Sequence, residues 1–240
     1  MNEHHSPEQH VAPSVAWVLE RLRQRYGEPT RSTPLPPIDE LVMTILSQHT
    51  SDVNTARAFA SLCASFPDWD AAINASDTEI ADAIRSGGLA ALKAPRIRQA
   101  LIDIREQSES FDLSFLADLP VVDARAWLTS LHGVGPKTAS CVLLFSLDRP
   151  AMPVDTHVHR VSLRLGLIPA LTSAERAHEL LEAIVPDDDT YAAHLLLIQH
   201  GRKTCVARRP RCSACVLVQC CPAASTYLDD RREQHDGQAH

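Results

Sequence analysis

Apolar residues recur at helical spacing along most of the chain, and no useful length of it alternates as a surface strand does. Residues 14–26 set the pattern with apolar side chains at Val15, Val18, Leu19 and Leu22. Ser14 is placed to cap this helix and Gly27 to stop it. The same pattern predicts further helices at 38–47, 53–65, 69–74, 77–86, 93–106, 113–116, 124–131, 137–147, 156–166, 173–185 and 190–200. The predicted fold class is all-α.

A glycine-containing turn separates two of these helices. In residues 131–139 (LHGVGPKTA), Gly133 and Gly135 allow a tight turn, and Pro136 suits the first position of the next helix. Backbone N–H groups at such a turn suit a phosphate group. A bare G-x-G between helices is more often an ordinary turn. Lys137 would lie one residue beyond this hairpin, next to whatever it holds.

A carboxylate follows eighteen residues after that lysine. Asp155 stands just after Pro153 at a position that can cap a new helix. A plain N-cap is therefore one interpretation of Asp155. The other is a cleft in which Lys137 supplies a nucleophile and Asp155 a carboxylate beside a hairpin that holds a phosphate group.

Charge is distributed unevenly along the sequence. The chain has 240 residues and a net charge of −7, which argues weakly against nucleic acid as a partner. Residues 201–222, however, contain five basic residues and no acidic one. Three of them, Arg208, Arg209 and Arg211, form a candidate phosphate-facing loop. A solvated loop without a partner is the alternative.

Cysteine spacing suggests a metal centre. Of seven cysteines, Cys63 and Cys141 lie in apolar helical patterns and are predicted to be inert core thiols. Four others follow the spacing C-x6-C-x2-C-x5-C, namely Cys205, Cys212, Cys215 and Cys221. Thiolates suit zinc or an iron–sulfur cluster, and a single short C-x2-C pair favours a cubane over zinc. Cys220 is the alternative to Cys221 as the fourth ligand. The alternative role of the cysteines is to hold the C-terminal loops together structurally.

Neither a membrane span nor a secretion signal is visible in the sequence. No apolar run approaches the roughly 18 residues of a transmembrane helix. The N-terminus is polar and lacks an apolar signal core. These observations predict a cytoplasmic protein, with a disordered segment at 1–13 and a flexible tail at 223–240.

Taken together, L-H-G-V-G-P-K-T-A, V-D-T-H-V-H-R-V and the cysteine spacing resemble the endonuclease III branch of the helix–hairpin–helix DNA glycosylases. The resemblance runs from about residue 14 to 222. It implies two helical domains: a six-helix barrel with the hairpin at 38–150, and a discontinuous domain at 14–37 plus 151–222 that carries a [4Fe-4S] cluster. DNA would lie across the cleft between them.

The resemblance also implies residue roles. Lys137 resembles the family's nucleophile and Asp155 its catalytic carboxylate. Residues 45–52 resemble a wedge loop that fills the gap left by an extruded base, with either Gln48 or His49 as the wedge. Leu89, after a glycine pair, resembles a leucine that intercalates from a second loop.

The implied function is a bifunctional DNA glycosylase and abasic-site lyase. It would excise damaged bases, oxidised pyrimidines above all, from double-stranded DNA as a monomer, and would also act at abasic sites. An adenine glycosylase is the nearest rival, but that branch lacks the lysine and carries a glutamate where Thr44 stands. A non-catalytic iron–sulfur protein that binds damaged DNA is the alternative from another class.

Overall fold

The computed structural model describes residues 13–228, and this part of the chain is helical and contains no strand. The all-α prediction is confirmed. The α-helices are α1 (Val15–Tyr26), α2 (Pro37–Ser47), α3 (Asp52–Ser65), α4 (Trp69–Asn74), α5 (Asp77–Ala83), α6 (Ala90–Ser108), α7 (Val121–Ser130), α8 (Pro136–Cys141), α9 (Thr156–Leu165), α10 (Ala174–Glu182) and α11 (Thr190–Lys203). Short 3₁₀ turns lie at Arg85–Gly87, Ser114–Ala117, Asp187–Asp189, Cys212–Ala214 and Val218–Cys220. None of the described helices is both long and apolar enough to cross a membrane.

The described residues form two compact units. Residues 32–153, here called the hairpin unit, make up one. The other, here called the cysteine unit, joins the residues before 32 to those from 154 onward. The predicted disorder at 1–13 lies almost wholly outside the described residues. Of the predicted tail at 223–240, residues 223–228 are described, and 224–228 form a helical turn.

Helix α2 lies at the centre of the hairpin unit. It is apolar on nearly every side, and Leu41, Val42, Ile45 and Leu46 are all fully buried. Helices α3, α6 and α8 pack against it. Helix α8 is the helix that follows the glycine hairpin. Because α2 is its neighbour, side chains of α2 lie beside α8.

In the cysteine unit, α11 packs against both α1 and α9. The sequence predicted that Gly201 would stop α11, and this was wrong, since the helix continues to Lys203. A Cβ built on Gly201 would lie 2.9 Å from the Cβ of His157 on α9, while Arg160 Nη2 donates a hydrogen bond to the Gly201 carbonyl at 2.9 Å. The glycine serves close helix packing and not helix termination.

Two other expectations require correction. The predicted helix at 137–147 is α8 followed by a π-helical segment, Val142–Ser146. This stretch is mostly buried, so it lacks the polar face that would reveal its period in the sequence. Cys63 is exposed on α3 and is not a core thiol, whereas Cys141 is buried as predicted.

Candidate functional site

The glycine hairpin is an open turn between α7 and α8. Gly133 has φ of +75°, a conformation that favours glycine, whereas Gly135 is extended. A Cβ built on Gly135 would meet no atom within 4 Å. Asp103 on α6 fixes the turn, because its Oδ2 accepts a hydrogen bond of 2.7 Å from the His132 backbone N–H. The backbone at the turn is therefore held in place and open to close approach from outside.

Lys137 lies on the first turn of α8, half-buried, with α2 beside it. Burial raises the pKa of the Cys141 thiol on the same helix, and the positive charge of Lys137 opposes that rise. The Thr44 hydroxyl donates to Glu40 Oε1 at 3.1 Å. Burial raises the pKa of the Glu40 carboxyl to about 7, opposed by the Thr44 hydrogen bond and the positive charge of Lys137. The positive charge of Lys137 thus acts on both the thiol and the carboxyl.

Asp155 is the N-cap of α9 in the cysteine unit. Its Oδ1 accepts hydrogen bonds from the backbone N–H groups of His157 at 2.8 Å and Val158 at 2.7 Å. The capping interpretation is therefore confirmed. Two donors on one oxygen also hold the carboxylate in a fixed orientation. Oδ2 takes part in neither of these hydrogen bonds. The catalytic role of Asp155 stays a prediction.

The two candidate wedge loops share an unusual backbone. His49 is exposed with φ of +54°, and Leu89 is 51% exposed with φ of +51°. Non-glycine residues rarely adopt this left-handed region, and such conformations persist where the surrounding structure enforces them. Gln48 is half-buried, and its Oε1 accepts a hydrogen bond from Arg96 Nη1 at 3.4 Å. His49 and Leu89 therefore project outward, while Gln48 is tethered.

A buried lysine, which the sequence interpretation missed, connects these loops. Lys93 on α6 is only 2% exposed, and burial lowers its pKa. Its Nζ donates to the Leu46 carbonyl at 2.6 Å, to Thr50 Oγ1 at 2.6 Å and to the Gly87 carbonyl at 2.9 Å. Thr50 Oγ1 also donates to the Gly87 carbonyl. We call this arrangement the Lys93 clamp.

The four predicted ligand cysteines line one cavity of the cysteine unit. Cys221 is among the lining residues and Cys220 is not. Arg164 Nη1 donates to Cys205 Sγ at 3.3 Å, and the Leu217 backbone N–H donates to Cys215 Sγ at 3.4 Å. Donors of this kind stabilise thiolate charge around iron–sulfur clusters.

The donor set consists of four cysteines around one cavity, and thiolates are ligands for zinc and for iron–sulfur clusters. Within residues 13–228, no three side chains of His, Cys, Asp or Glu converge to hold one metal ion. Tetrahedral zinc needs four ligands at one point, whereas each thiolate of a cubane binds a different iron. Burial raises the pKa of the Cys221 thiol to about 11, so metal binding there would release protons.

The cysteine loop carries an exposed basic surface. Arg208, Arg209 and Arg211 are all exposed. A neighbouring cavity of the same unit is lined by further basic side chains, among them Arg25, Arg202 and Lys203. An acidic chain thus presents a local surface suited to an anion.

Comparison with known proteins places these features in a family. Residues 42–187 match the HhH-GPD superfamily of base excision DNA repair proteins, which is more than half of the chain. This chain belongs to that superfamily. It is 34% identical to endonuclease III of Sulfolobus acidocaldarius, over 79% of this chain and 82% of that protein. It is 32% identical to endonuclease III of Escherichia coli K12, over 85% of this chain and 92% of that protein.

A putative DNA glycosylase of Arabidopsis thaliana is 40% identical over 165 residues, which cover 69% of this chain. That match spans only 56% of the plant protein's length. Among solved structures, a trapped endonuclease III–DNA covalent intermediate superposes with a TM-score of 0.76 at 26% identity, covering 89% of this chain and 97% of the other. A non-covalent endonuclease III–DNA complex gives the same TM-score over 90% of this chain and 97% of the other. The predicted family is confirmed. The predicted function, a base excision DNA glycosylase with the AP lyase activity typical of that family, is also confirmed.

Proposed function

We propose that this chain excises damaged bases, oxidised pyrimidines above all, from double-stranded DNA through a Schiff base on Lys137, and then cleaves the strand by β-elimination. The observation that carries the proposal is the position of Lys137. It lies half-buried on the first turn of α8, directly after the glycine hairpin, and its positive charge acts on the buried Cys141 thiol. The related protein in the trapped complex is described as a covalent intermediate with DNA.

Base removal first requires access to the sugar. A base stacked in a duplex is out of reach, so it must be flipped out at a cost of a few kcal/mol. Leu89 and His49 are exposed on the two clamped loops and are suited to fill the gap. Gln48 is the alternative wedge on the first loop, but its hydrogen bond with Arg96 would have to break.

The chemistry needs a neutral amine and a fixed negative charge. Lys137 Nζ would attack C1′ of the flipped nucleotide, forming a C–N bond as the bond from C1′ to the base breaks. Asp155 would stabilise the positive charge that develops on the sugar. Ring opening yields the Schiff base, and loss of a proton from C2′ expels the 3′ phosphate, which cuts the strand.

Phosphate binding would hold the duplex in place. The open backbone at Gly135 suits close approach of a DNA strand, and the Arg96 side chain lies beside Gly133. The exposed side chains of Arg208, Arg209 and Arg211 suit the phosphates electrostatically. Such contacts position the duplex without reading its sequence. We propose that the protein acts as a monomer on duplexes containing lesions or abasic sites.

We further propose that Cys205, Cys212, Cys215 and Cys221 hold a [4Fe-4S] cluster. Such a group cross-links a loop and is a one-electron redox centre. Cys221→Ser should remove the yellow-brown colour of the purified protein and its iron, while Cys220→Ser should keep both. Equimolar zinc without iron would contradict the assignment.

The function is tested by borohydride trapping on a duplex with a single oxidised pyrimidine. Wild type should form a covalent adduct, and Lys137→Gln should lose it while duplex affinity changes little, because phosphate contacts lie elsewhere. Asp155→Asn should still bind DNA but release the base about 100-fold more slowly, since a charge needed in the transition state is gone. Thermal melting and iron content must match wild type in both variants.

An adduct that forms normally with folded Lys137→Gln would overturn the proposed nucleophile. A wild-type protein that binds the duplex but yields neither free base nor adduct would point instead to a non-catalytic iron–sulfur protein. Duplexes with different single lesions, compared in the same assay, test the preference for oxidised pyrimidines.

A further inference from the structure

A buried histidine of the cysteine unit lies against one of the proposed cluster ligands. His200 on α11 is only 1% exposed, and it lines the same cavity as the four cysteines. Its Nε2 lies 3.7 Å from Cys215 Sγ, which is within reach of a hydrogen bond to sulfur. The Leu217 backbone N–H donates to the same sulfur at 3.4 Å. Cys215 therefore has a side-chain nitrogen and a backbone nitrogen beside it.

The other ring nitrogen of His200 faces a tyrosine from a different helix. Tyr26 Oη, at the end of α1, lies 3.1 Å from His200 Nδ1 and 2.8 Å from Thr204 Oγ1. The Tyr26 ring is flanked by two cations, with Arg25 Cζ 5.8 Å and Lys203 Nζ 5.6 Å from the ring centroid. Such cation–π contacts restrain the ring, so its hydroxyl stays beside the histidine.

The chain of groups from Thr204 through Tyr26 and His200 to Cys215 has one direction of donation once Cys215 binds iron. Cysteine binds iron as the thiolate, which has lost its proton and only accepts hydrogen bonds. His200 Nε2 must then carry a ring proton, and Nδ1 of the neutral ring is left as an acceptor. The Tyr26 hydroxyl can donate to Nδ1, while the Thr204 hydroxyl donates to Tyr26 Oη. Each contact then pairs one donor with one acceptor.

We infer that His200 is a positioning residue that raises the reduction potential of the cluster, and that Tyr26 fixes the His200 tautomer. This inference rests on the proposed [4Fe-4S] cluster. A donor beside a ligand sulfur stabilises negative charge there, and the reduced cluster carries one electron more than the oxidised one. The donor therefore stabilises the reduced state more than the oxidised state. Partners that orient metal ligands also contribute about 10–100-fold to metal affinity.

A histidine that only fills space beside the cysteine loop is the competing interpretation. Replacing such a residue would lower the melting temperature without a directed change in reduction potential. The potential therefore separates the two interpretations. It is measured by voltammetry on the iron-loaded protein without DNA.

His200→Leu removes both ring nitrogens and keeps an apolar side chain in the cavity wall. Its reduction potential should be lower than that of wild type. A chelator should extract its iron about tenfold faster, at the lower end of the range for partners that orient metal ligands. His200→Gln keeps an amide N–H that can reach Cys215 Sγ, so it should restore most of both values.

Tyr26→Phe keeps the aromatic ring and its contacts with the two cations but removes the hydroxyl. Without that donor, the His200 ring divides between its two tautomers, and only one of them donates to Cys215. The reduction potential should therefore shift in the same direction as in His200→Leu, but by a smaller amount.

His194→Leu and Tyr191→Phe are the matched controls on α11. His194 is also buried, and the described lining of the cysteine cavity does not include it. The Tyr191 hydroxyl donates to the Thr30 carbonyl at 3.3 Å and not to a histidine of the cavity. Both variants should keep the wild-type reduction potential and rate of iron release.

The outcomes separate this inference from the proposed cluster. If wild type binds no iron, the cluster assignment fails, and the inference fails with it. If wild type holds the cluster and folded His200→Leu keeps its potential and iron-release rate, the inference is overturned and the cluster stands. Should His200→Leu not fold, an unchanged potential in Tyr26→Phe overturns the inference. None of these measurements involves DNA cleavage, so none depends on the role of Lys137.

Discussion

At the scale of single residues, two carboxyl groups have opposite surroundings. Asp155 caps α9, and two backbone N–H groups hydrogen-bond to its Oδ1. Such donors favour a negative charge. Glu40 is half-buried and accepts a hydrogen bond from one hydroxyl, which does not offset its loss of water. With its pKa raised to about 7, Glu40 gains and loses a proton near neutral pH.

This difference predicts how stability depends on pH. The pKa of the Glu40 carboxyl rises from an ordinary 4.5 to about 7 on folding, so between these values the folded chain holds a proton that the unfolded chain has released. The stabilisation is complete below pH 4.5 and is lost as the pH rises through 7. At about 1.4 kcal/mol per pKa unit, the loss is on the order of 3 kcal/mol.

Glu40→Gln does not titrate, so its stability relative to wild type should increase from pH 5 to pH 8. Urea unfolding at the two pH values measures the change. Glu106→Gln, at an exposed position of α6, is the matched control. An equal pH dependence in Glu40→Gln and wild type would show that this carboxyl does not carry the effect.

At the scale of elements, the Lys93 clamp sets the geometry of both wedge loops. One ammonium group binds the end of α2, the turn after it and the 3₁₀ turn before α6. His49 and Leu89 lie next to these anchor points in left-handed backbone conformations. The clamp therefore holds in place two strained residues that the proposed function sends into DNA.

Lys93→Met keeps the length of the side chain and removes its three donors. It should destabilise the protein by about 1–3 kcal/mol, because buried carbonyl groups lose their partners. It should also reduce excision from duplex DNA more than cleavage of a single-stranded abasic site, since only the duplex requires flipping. Chemical denaturation and paired single-turnover assays measure the two effects.

Leu89→Ala should also reduce excision from duplex DNA more than cleavage of a single-stranded abasic site. It should not lower the stability of the protein. Leu92→Ala, which removes an exposed leucine one turn later on α6, should change the rate on neither substrate. If Lys93→Met lost activity equally on both substrates, the clamp would serve folding alone.

Local rules predicted much of this architecture. Ser14 and Asp155 both cap the helices assigned to them, because capping depends on residues within one turn. These features need no knowledge of distant contacts.

Features set by packing could not be predicted from the sequence. Gly201 lies inside α11 because a second helix approaches it, and sequence spacing does not record that approach. Lys93 is buried because three acceptors from other segments surround it, although charge alone suggested a surface position. Its register with buried Ile97, Ala100 and Ile104 was the available signal.

At the scale of the whole molecule, net charge is a poor guide to the partner. The chain carries 30 acidic and 23 basic residues, yet it belongs to a DNA repair family. Three basic side chains, Arg208, Arg209 and Arg211, are exposed together on the cysteine loop, and residues 201–222 contain no acidic one. Because screening limits each charge to about 8–10 Å at physiological salt, the local surface matters more than the sum.

The salt dependence of binding tests this view. If Arg208 and Arg209 neutralise DNA phosphates, replacing both with alanine removes the counterion release that each arginine causes. The slope of log K against log salt should become less negative by about 0.9 for each phosphate that the variant no longer neutralises. The ratio of affinities for lesion-containing and undamaged duplex should stay within about twofold, because phosphate contacts carry no base information. Arg176→Ala is the matched control, since that exposed arginine is paired with Glu179 on α10. An unchanged slope in the double variant, measured by fluorescence anisotropy from 50 to 200 mM salt, would show that DNA does not bind this loop.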